Sequence, residues 1–300
     1  ESDMSYQFMG FRRPDGRVGA RNLVGVIPSV TCANDVAQAI VTEVQGTVGY
    51  FHHQGCCQLP PDLDRVTETL TSLGQSPNLG AVLIVSLGCE GTDFEKMYKT
   101  IKATGKPVRI IGIQELGGVS NAIQKGIDLA RQLVIEISGQ QRQPASIEEV
   151  VMAIKCGASD TTSGMASNCV IGYIADKLVD LGATVIFGET TEFIGGEHLL
   201  ARRAVTPEVG QKIYDIVNAM EARAKSLGCD MRKGQPTPGN IAGGLSSIEE
   251  KTLGAIVKSG TRPIQGVLDY PELVTDHKGL WIKDTPGREP EILTGMAATG

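Results

Sequence analysis

Short apolar runs alternate with segments of helical periodicity from Leu23 onward, and this rhythm leaves few folds open. Residues 23–27, 48–51, 81–85 and 108–113 read as strands. Between them, helices are predicted from Asn34 and Asp35, which can cap the first, to Val44, and over 62–73, 93–103 and 118–137. In the second of these, Leu63, Val66, Leu70 and Leu73 recur at helical spacing. A second cycle predicts strands at 150–154 and 184–187 and helices at 168–181, 196–203, 207–227 and 247–258. Ser246 is the expected N-cap of the last, with Glu249 completing a capping box. Residues 264–281 are mixed.

Strand–helix alternation at this spacing means parallel sheets with right-handed crossovers. The expected fold is α/β, with two doubly wound, mainly parallel-sheet (Rossmann-like) domains. Residues 1–22 form an Arg-rich loop segment, 23–140 the first domain and 146–300 the second. The polar, Pro-interrupted stretch 140–144 separates them. Residues 1–3, ahead of Met4, look foreign to the fold, and the Gly-punctuated tail 294–300 reads as a loop without a closing helix. The tail suggests a second domain truncated at its C-terminus.

Composition narrows the function. The net charge is −6, which disfavours nucleic acid and anionic membranes as partners. No apolar run reaches the length of a membrane span. Glycine is abundant, 37 of 300 residues, and aromatics make up 4%, which suits tight strand–helix turns. Seven cysteines cannot all pair within the chain. With no secretory segment, free thiols or metal ligands in a reducing cytoplasm are expected.

Ligands of open parallel sheets bind at the carboxyl ends of strands. Those ends carry Cys32, then His52-His53-Gln54-Gly55-Cys56-Cys57, then Gly88-Cys89-Glu90, Cys156-Gly157-Ala158-Ser159-Asp160 and Gly188-Glu189-Thr190-Thr191-Glu192, with Glu197-His198 close behind. A single cysteine is most simply a small buried hydrophobe. Cys56, Cys89 and Cys156, each beside glycine at a strand end, instead point to a shared metal at a cleft between the domains. Iron accepts such thiolate, imidazole and carboxylate donors. Of His52 and His53, at most one faces a site if the chain is extended. Four arginines fall in the ten residues 12–21, either in a solvated loop or holding carboxylates through guanidinium forks. Neither a Gly-x-Gly-x-x-Gly nor a Walker loop occurs, so nucleotide chemistry is unsupported.

Several segments together resemble the altronate/galactarate dehydratase family in its large or catalytic portion. They are Arg13-Pro14-Asp15-Gly16-Arg17-Val18-Gly19-Ala20-Arg21-Asn22, Gly55-Cys56, Leu87-Gly88-Cys89-Glu90 and Lys155-Cys156-Gly157-Ala158-Ser159-Asp160. Glu197-His198-Leu199-Leu200-Ala201-Arg202-Arg203-Ala204-Val205 and Pro238-Gly239-Asn240-Ile241-Ala242-Gly243-Gly244-Leu245 continue the series. Gly55-Cys56-Cys57 departs from the Gly-Cys-Gly of the sugar-acid enzymes. The related sulfolactate sulfo-lyase has a separate small subunit.

The resemblance implies a metal-dependent lyase that removes the C2 proton of an altronate- or galactarate-type sugar acid and expels water, giving a 2-oxo-3-deoxy acid. A large subunit releasing sulfite and pyruvate from sulfolactate is the alternative. A non-catalytic α/β ligand-binding subunit is a third. The cofactor implied is iron, as Fe²⁺ or an iron–sulfur cluster, on Cys56, Cys89 and Cys156. His198 is the expected base, with His52 second and Glu197 beside it. Arg17, Arg21, Ser159, Asp160, Arg202 and Arg203 are expected to bind substrate. The expected partners are the small-molecule acid, a separate small subunit and further copies of the chain.

Overall fold

The computed structural model describes residues 6–274 and 278–300. The chain divides into two compact units. The first comprises Glu1–Ala145, Pro271–Leu273 and Ala297–Gly300, and the second Ser146–Tyr270 and Val274–Met296.

In the first unit the chain runs β1 (Gln7–Arg12), β2 (Val18–Gly19), β3 (Leu23–Pro28), α1 (Asn34–Glu43), β4 (Thr47–Gly49), α2 (Pro60–Gln75), β5 (Leu79–Ser86), α3 (Phe94–Lys102), β6 (Val108–Gly112) and α4 (Val119–Ser138). A parallel sheet has the order β4-β3-β5-β6. Every residue of β5 is buried, as expected of a central strand covered on both faces. Helices α1 and α4 cover one face, where Val24, Val26, Ile40, Leu83 and Leu133 pack. Helices α2 and α3 cover the other with Leu70, Leu73, Met97 and Ile101. A Cβ at Gly126 of α4 would lie 2.3 Å from Ile40, so glycine is what lets α4 lie against α1. The strand order reverses between β3 and β5, and their carboxyl ends form the edge crevice of such sheets.

The Arg-rich segment is not a loop. β1 pairs antiparallel with β2, and the expected linker ends in a further strand, β7 (Gln143–Ser146), on the far side of β1. The arginines are there for the end of α2. The carbonyls of Gln75 and Pro77 accept from Arg17 and Arg13, and those of Gly74 and Ser76 from Lys106. Three cations thus close the negative end of a helix whose last carbonyls lack intrahelical partners. Arg13 also donates to Asn22, Gln140 and the Arg21 carbonyl. Burial pulls its pKa down to about 10, against the attraction of Asp15. Burial, with Arg17 and Arg13 nearby, pulls Lys106 to about 7.

Arg13→Ala is therefore expected to cost about 3 kcal/mol, since it strands several buried acceptors. Arg21→Ala, at an exposed side chain, should stay within about 0.5 kcal/mol. Urea denaturation of the two variants checks the contrast.

The second unit contains β8 (Val151–Ile154), α5 (Asn168–Asp180), β9 (Thr184–Phe187), α6 (Glu197–Ala201), α7 (Pro207–Ser226), α8 (Met231–Gly234), α9 (Pro238–Ala242), α10 (Ile248–Ile256), β10 (Ile264–Leu268), β11 (Gly279–Lys283) and α11 (Glu289–Ala297). Its parallel sheet has the order β10-β11-β9-β8. The core gathers Val185, Phe187, Phe193, Leu200, Ile213 and Ile282. Residues 264–281, mixed in sequence, hold β10 and the start of β11.

Four local expectations need correction. The tail is helical in α11, and Ala298 beyond it is buried in the core of the first unit rather than the second. Asn34 does not cap α1; its amide donates to the His52 carbonyl. The cap of α10 is Ser247, which accepts from the Glu250 N–H, while Ser246 donates to the Glu250 carboxylate. Among the described residues no helix is long and apolar enough to cross a membrane.

Candidate active site

Three loops meet at the carboxyl edge of the first sheet. The Thr31 N–H donates to Gln54 O and the Gly91 N–H to Gly55 O, both at 2.9 Å, which ties the loops after β3, β4 and β5 together. Gly55 has φ +101°, and a Cβ there would sit 2.8 Å from Ser29 O, so only glycine allows this approach. Glu90 folds the third loop inward. Its carboxylate accepts from Ser29 Oγ at 2.7 Å and from the Leu87 and Gly88 N–H groups at 3.1 and 2.6 Å. Burial pushes its pKa up, but these hydrogen bonds outweigh burial and hold it below the ordinary range.

The result is an edge bearing Cys32, Cys56, Cys57 and Cys89, all exposed. The Cys56 and Cys57 sulfurs are 3.5 Å apart. The Cys56 pKa is raised by its hydrogen bond to Cys57 and by that thiol's charge, then by desolvation and the charges of Cys32 and Cys89. His52 cannot act as a free base here. Its Nε2 bonds Pro28 O at 2.8 Å and its Nδ1 accepts from the Gln54 N–H at 3.2 Å, so both ring nitrogens are committed.

The corresponding edge of the second sheet holds a buried charge cluster. Glu189 follows β9 in the left-handed region, at φ +69°. Its N–H donates to Thr285 Oγ1, and its Oε2 accepts from the Cys156 N–H at 2.6 Å. Lys258 Nζ lies 3.4 Å from Glu189 and 2.9 Å from Glu192, with side chains 2%, 3% and 10% exposed. It also stands 5.8 Å over the Phe187 ring. Burial and the charge of Glu192 raise the Glu189 pKa, against Lys258 and the Cys156 N–H. Burial alone would lower Lys258, but the charges of Glu192 and Glu189 outweigh it and raise it. Desolvation and Glu192 push the Cys156 thiol up.

Donor atoms of Cys156, Glu189 and Glu192 lie within 4.8 Å of one another. The positive charge among them is that of Lys258. Glu189 and Glu192 also line a cavity of about 320 Å³ with Thr191, Lys251, Thr252 and Gly287.

Other expected site residues lie elsewhere or serve the fold. Arg17 pairs with Asp15 at 2.8 Å. Arg17 and Arg21 precede β3, whose six residues span about 20 Å, so they sit at the opposite edge of the sheet from the thiols. Arg203 binds Ser259 and the Arg262 carbonyl at the amino end of β10; Arg202 is exposed. The Asp160 carboxylate accepts from Thr162 and the Ser163 N–H, as an N-cap does. Ser159 Oγ lies 3.4 Å from Cys156 Sγ.

His198 is exposed on α6 and is not among the residues lining the cavity. Glu197, expected beside it, instead faces Arg232 at 3.7 Å. Cys56 and Cys89 belong to the first unit and Cys156 to the second. Glu189 and Lys258 carried no expected role. Glu189 lay in a strand-end loop already singled out, whereas Lys258 sat at the end of a predicted helix with no local signal.

Family models match both units. Residues 10–138 match the second domain of D-galactarate dehydratase/altronate hydrolase, and 147–300 the C-terminal domain of D-galactarate/altronate dehydratase. The chain belongs to the galactarate/altronate dehydratase family. It is 41% identical to the (2R)-sulfolactate sulfo-lyase subunit beta of Chromohalobacter salexigens, over 98% of this chain and 75% of that one. It is 30% identical to the altronate dehydratase of Bacillus subtilis, over 100% of this chain and 61% of that one. It is 32% identical to the galactarate dehydratase (L-threo-forming) of Escherichia coli, over 98% and 60%. The chain therefore spans about three-fifths of these dehydratases. Lyase chemistry is common to these family relatives.

Proposed function

We propose that this chain is the catalytic portion of a lyase that removes the C2 proton of a 2-hydroxy acid and expels a group from C3. The observation that carries the reading is Glu189, a carboxylate with a raised pKa on a cavity wall. A carboxylate of raised pKa is a stronger base once ionised. Its left-handed backbone costs on the order of 1–3 kcal/mol, a strain that clusters at functional sites. Lys258, ion-paired with Glu189 and Glu192, keeps a buried positive charge beside the base.

Sulfite is the proposed leaving group, because identity to the sulfo-lyase subunit is 41% against 30–32% to the dehydratases above. The C2–H bond breaks to Glu189, and the C3–S bond breaks with its electron pair going to sulfur. The enol product becomes pyruvate. Loss of water from a sugar acid is the second reading, favoured by the matches of both family models.

Iron is the proposed cofactor, as the family resemblance implies, and exposed thiolates such as those of Cys56 and Cys89 are donors it accepts. Bound iron would acidify C2–H by drawing charge from the substrate carboxylate. A separate small subunit is the proposed partner, and the cytoplasm the proposed location.

The test loads the chain anaerobically with Fe²⁺, alone and with a small companion subunit. Sulfite and 2-oxo acid are assayed together on sulfolactate, altronate and galactarate. Equal sulfite and pyruvate is the expected result. A 2-oxo acid from the sugar acids without sulfite would support dehydration, and none from any substrate would overturn the lyase reading.

A further inference from the structure

The cavity beside Glu189 carries a cation of its own. Lys251 lines it together with Thr191, Gln235 and Gly287. Lys258 is spent on two carboxylates, whereas the Lys251 ammonium meets a neutral partner, donating to Gln235 Oε1 at 2.6 Å. Among the described residues no other group takes this ammonium, so two of its three N–H bonds remain for a ligand. A lysine can only donate, which turns the Gln235 oxygen toward it and leaves the amide NH₂ as a second donor. Thr191 adds a hydroxyl. A Cβ at Gly287 would lie 2.9 Å from Thr191 Oγ1, so glycine keeps that hydroxyl uncovered.

Each donor comes from a different element, and a neighbour fixes each. Thr190 Oγ1 donates to Asp284 at 2.6 Å, holding the turn of Thr191. Thr252 Oγ1 donates to Ile194 O at 2.7 Å, holding α10 and Lys251 against that turn. Arg232 donates to both Glu221 oxygens at 2.8 and 3.1 Å, holding α8 ahead of Gln235. Donors fixed in this way need little reorganisation to receive an anion.

We infer that Lys251, Gln235 and Thr191 form a subsite for a sulfonate group. Three separate donors suit a pyramidal –SO₃⁻, with one oxygen for each. A planar carboxylate has two oxygens and is matched best by a guanidinium fork, which is absent from the described residues lining the cavity. A phosphate monoester is pyramidal too, but its second charge would meet Glu189 and Glu192 in the same cavity. The subsite stands on these donors; its part in catalysis rests on the lyase reading. There the C2 proton goes to Glu189, the C3–S bond breaks and its electron pair stays on sulfur. The group held by Lys251 passes from one negative charge to two as sulfite leaves, so the ammonium holds it more strongly in the transition state.

Isothermal titration calorimetry of the full chain compares 3-sulfopropionate with succinate, dianions that differ in one end group and lack the 2-hydroxyl. 3-Sulfopropionate is expected to bind about tenfold more tightly, the worth of one further hydrogen bond to a charged group. Lys251→Met should weaken its binding by about 10–100-fold and Thr191→Val by about tenfold, with unchanged far-ultraviolet circular dichroism. Thr191→Val, which keeps the side-chain shape, carries the test if Lys251→Met does not fold.

Equal affinity for the two dianions would overturn the sulfonate assignment, as would unchanged affinity for 3-sulfopropionate in either folded variant. The two readings fail separately. Sulfonate binding lost in these variants, with no sulfite released from sulfolactate by the wild type, would remove the lyase reading and leave the subsite. Sulfite release by a chain that binds succinate as well as 3-sulfopropionate would remove the subsite and leave the lyase.

Discussion

Glu189→Gln is expected to lower kcat by about 10²–10⁴-fold, the contribution of a positioned general base, with little change in KM. The substitution preserves shape and keeps an oxygen for the Cys156 N–H, which Glu189 now accepts at 2.6 Å. Loss of activity with normal circular dichroism would therefore report chemistry rather than folding. The pH profile supplies an independent readout. Burial and Glu192 raise the Glu189 pKa, so the ionised base appears only above the ordinary glutamate range. The acid limb of kcat/KM should lie above that range in the wild type and disappear in the residual activity of the variant. His198→Gln makes the comparison decisive. His198 lies outside the cavity lining, and its variant should lose less than about tenfold. A larger loss there than at Glu189 would make the imidazole the base and the carboxylate a structural group.

The alternation that predicts the sheets is legible because buried parallel strands are nearly continuous apolar runs, and β5 is the clearest case, with all its residues buried. The β1–β2 ribbon was illegible for the opposite reason. It is short, carries arginines, and is held by hydrogen bonds to the end of α2, 58 to 64 residues away. No local pattern records such partners, so Arg13 and Arg17 resembled a carboxylate clamp while acting as a helix cap. The cysteine-bearing strand ends were visible, but their grouping was not. Backbone hydrogen bonds from Thr31 to Gln54 and from Gly91 to Gly55 join the loops that bear Cys32, Cys56 and Cys89, and no local pattern records them. Glu189 and Lys258 show the same limit, for they are 69 residues apart in sequence and meet only in the fold.

Lys258→Met should destabilise the second unit by about 3–5 kcal/mol at neutral pH, because it strands buried partners of an ion pair. Lys258 is 2% exposed, and its loss leaves Glu189 and Glu192 facing each other without a cation. The pH dependence fixes the cause. In the wild type the Lys258 pKa is raised by the two carboxylates. Its contribution is present below the ordinary lysine pKa and fades as pH rises through the higher folded value. In the variant Glu189 keeps its raised pKa without the opposing cation, so the native state binds more protons than the unfolded chain above the ordinary glutamate range. The deficit should then grow as pH rises from about 4.5 toward 7 and shrink on acidification. Urea denaturation at pH 5 and pH 7 measures this directly. Equal destabilisation at both would mean that Lys258 acts through the packing of its alkyl chain near Phe187, where its ammonium lies 5.8 Å from the ring centroid, and not through its charge. Lys258→Arg, which keeps the charge but needs more room, separates the two further. It should recover the pH dependence even where crowding beside Phe187 costs stability.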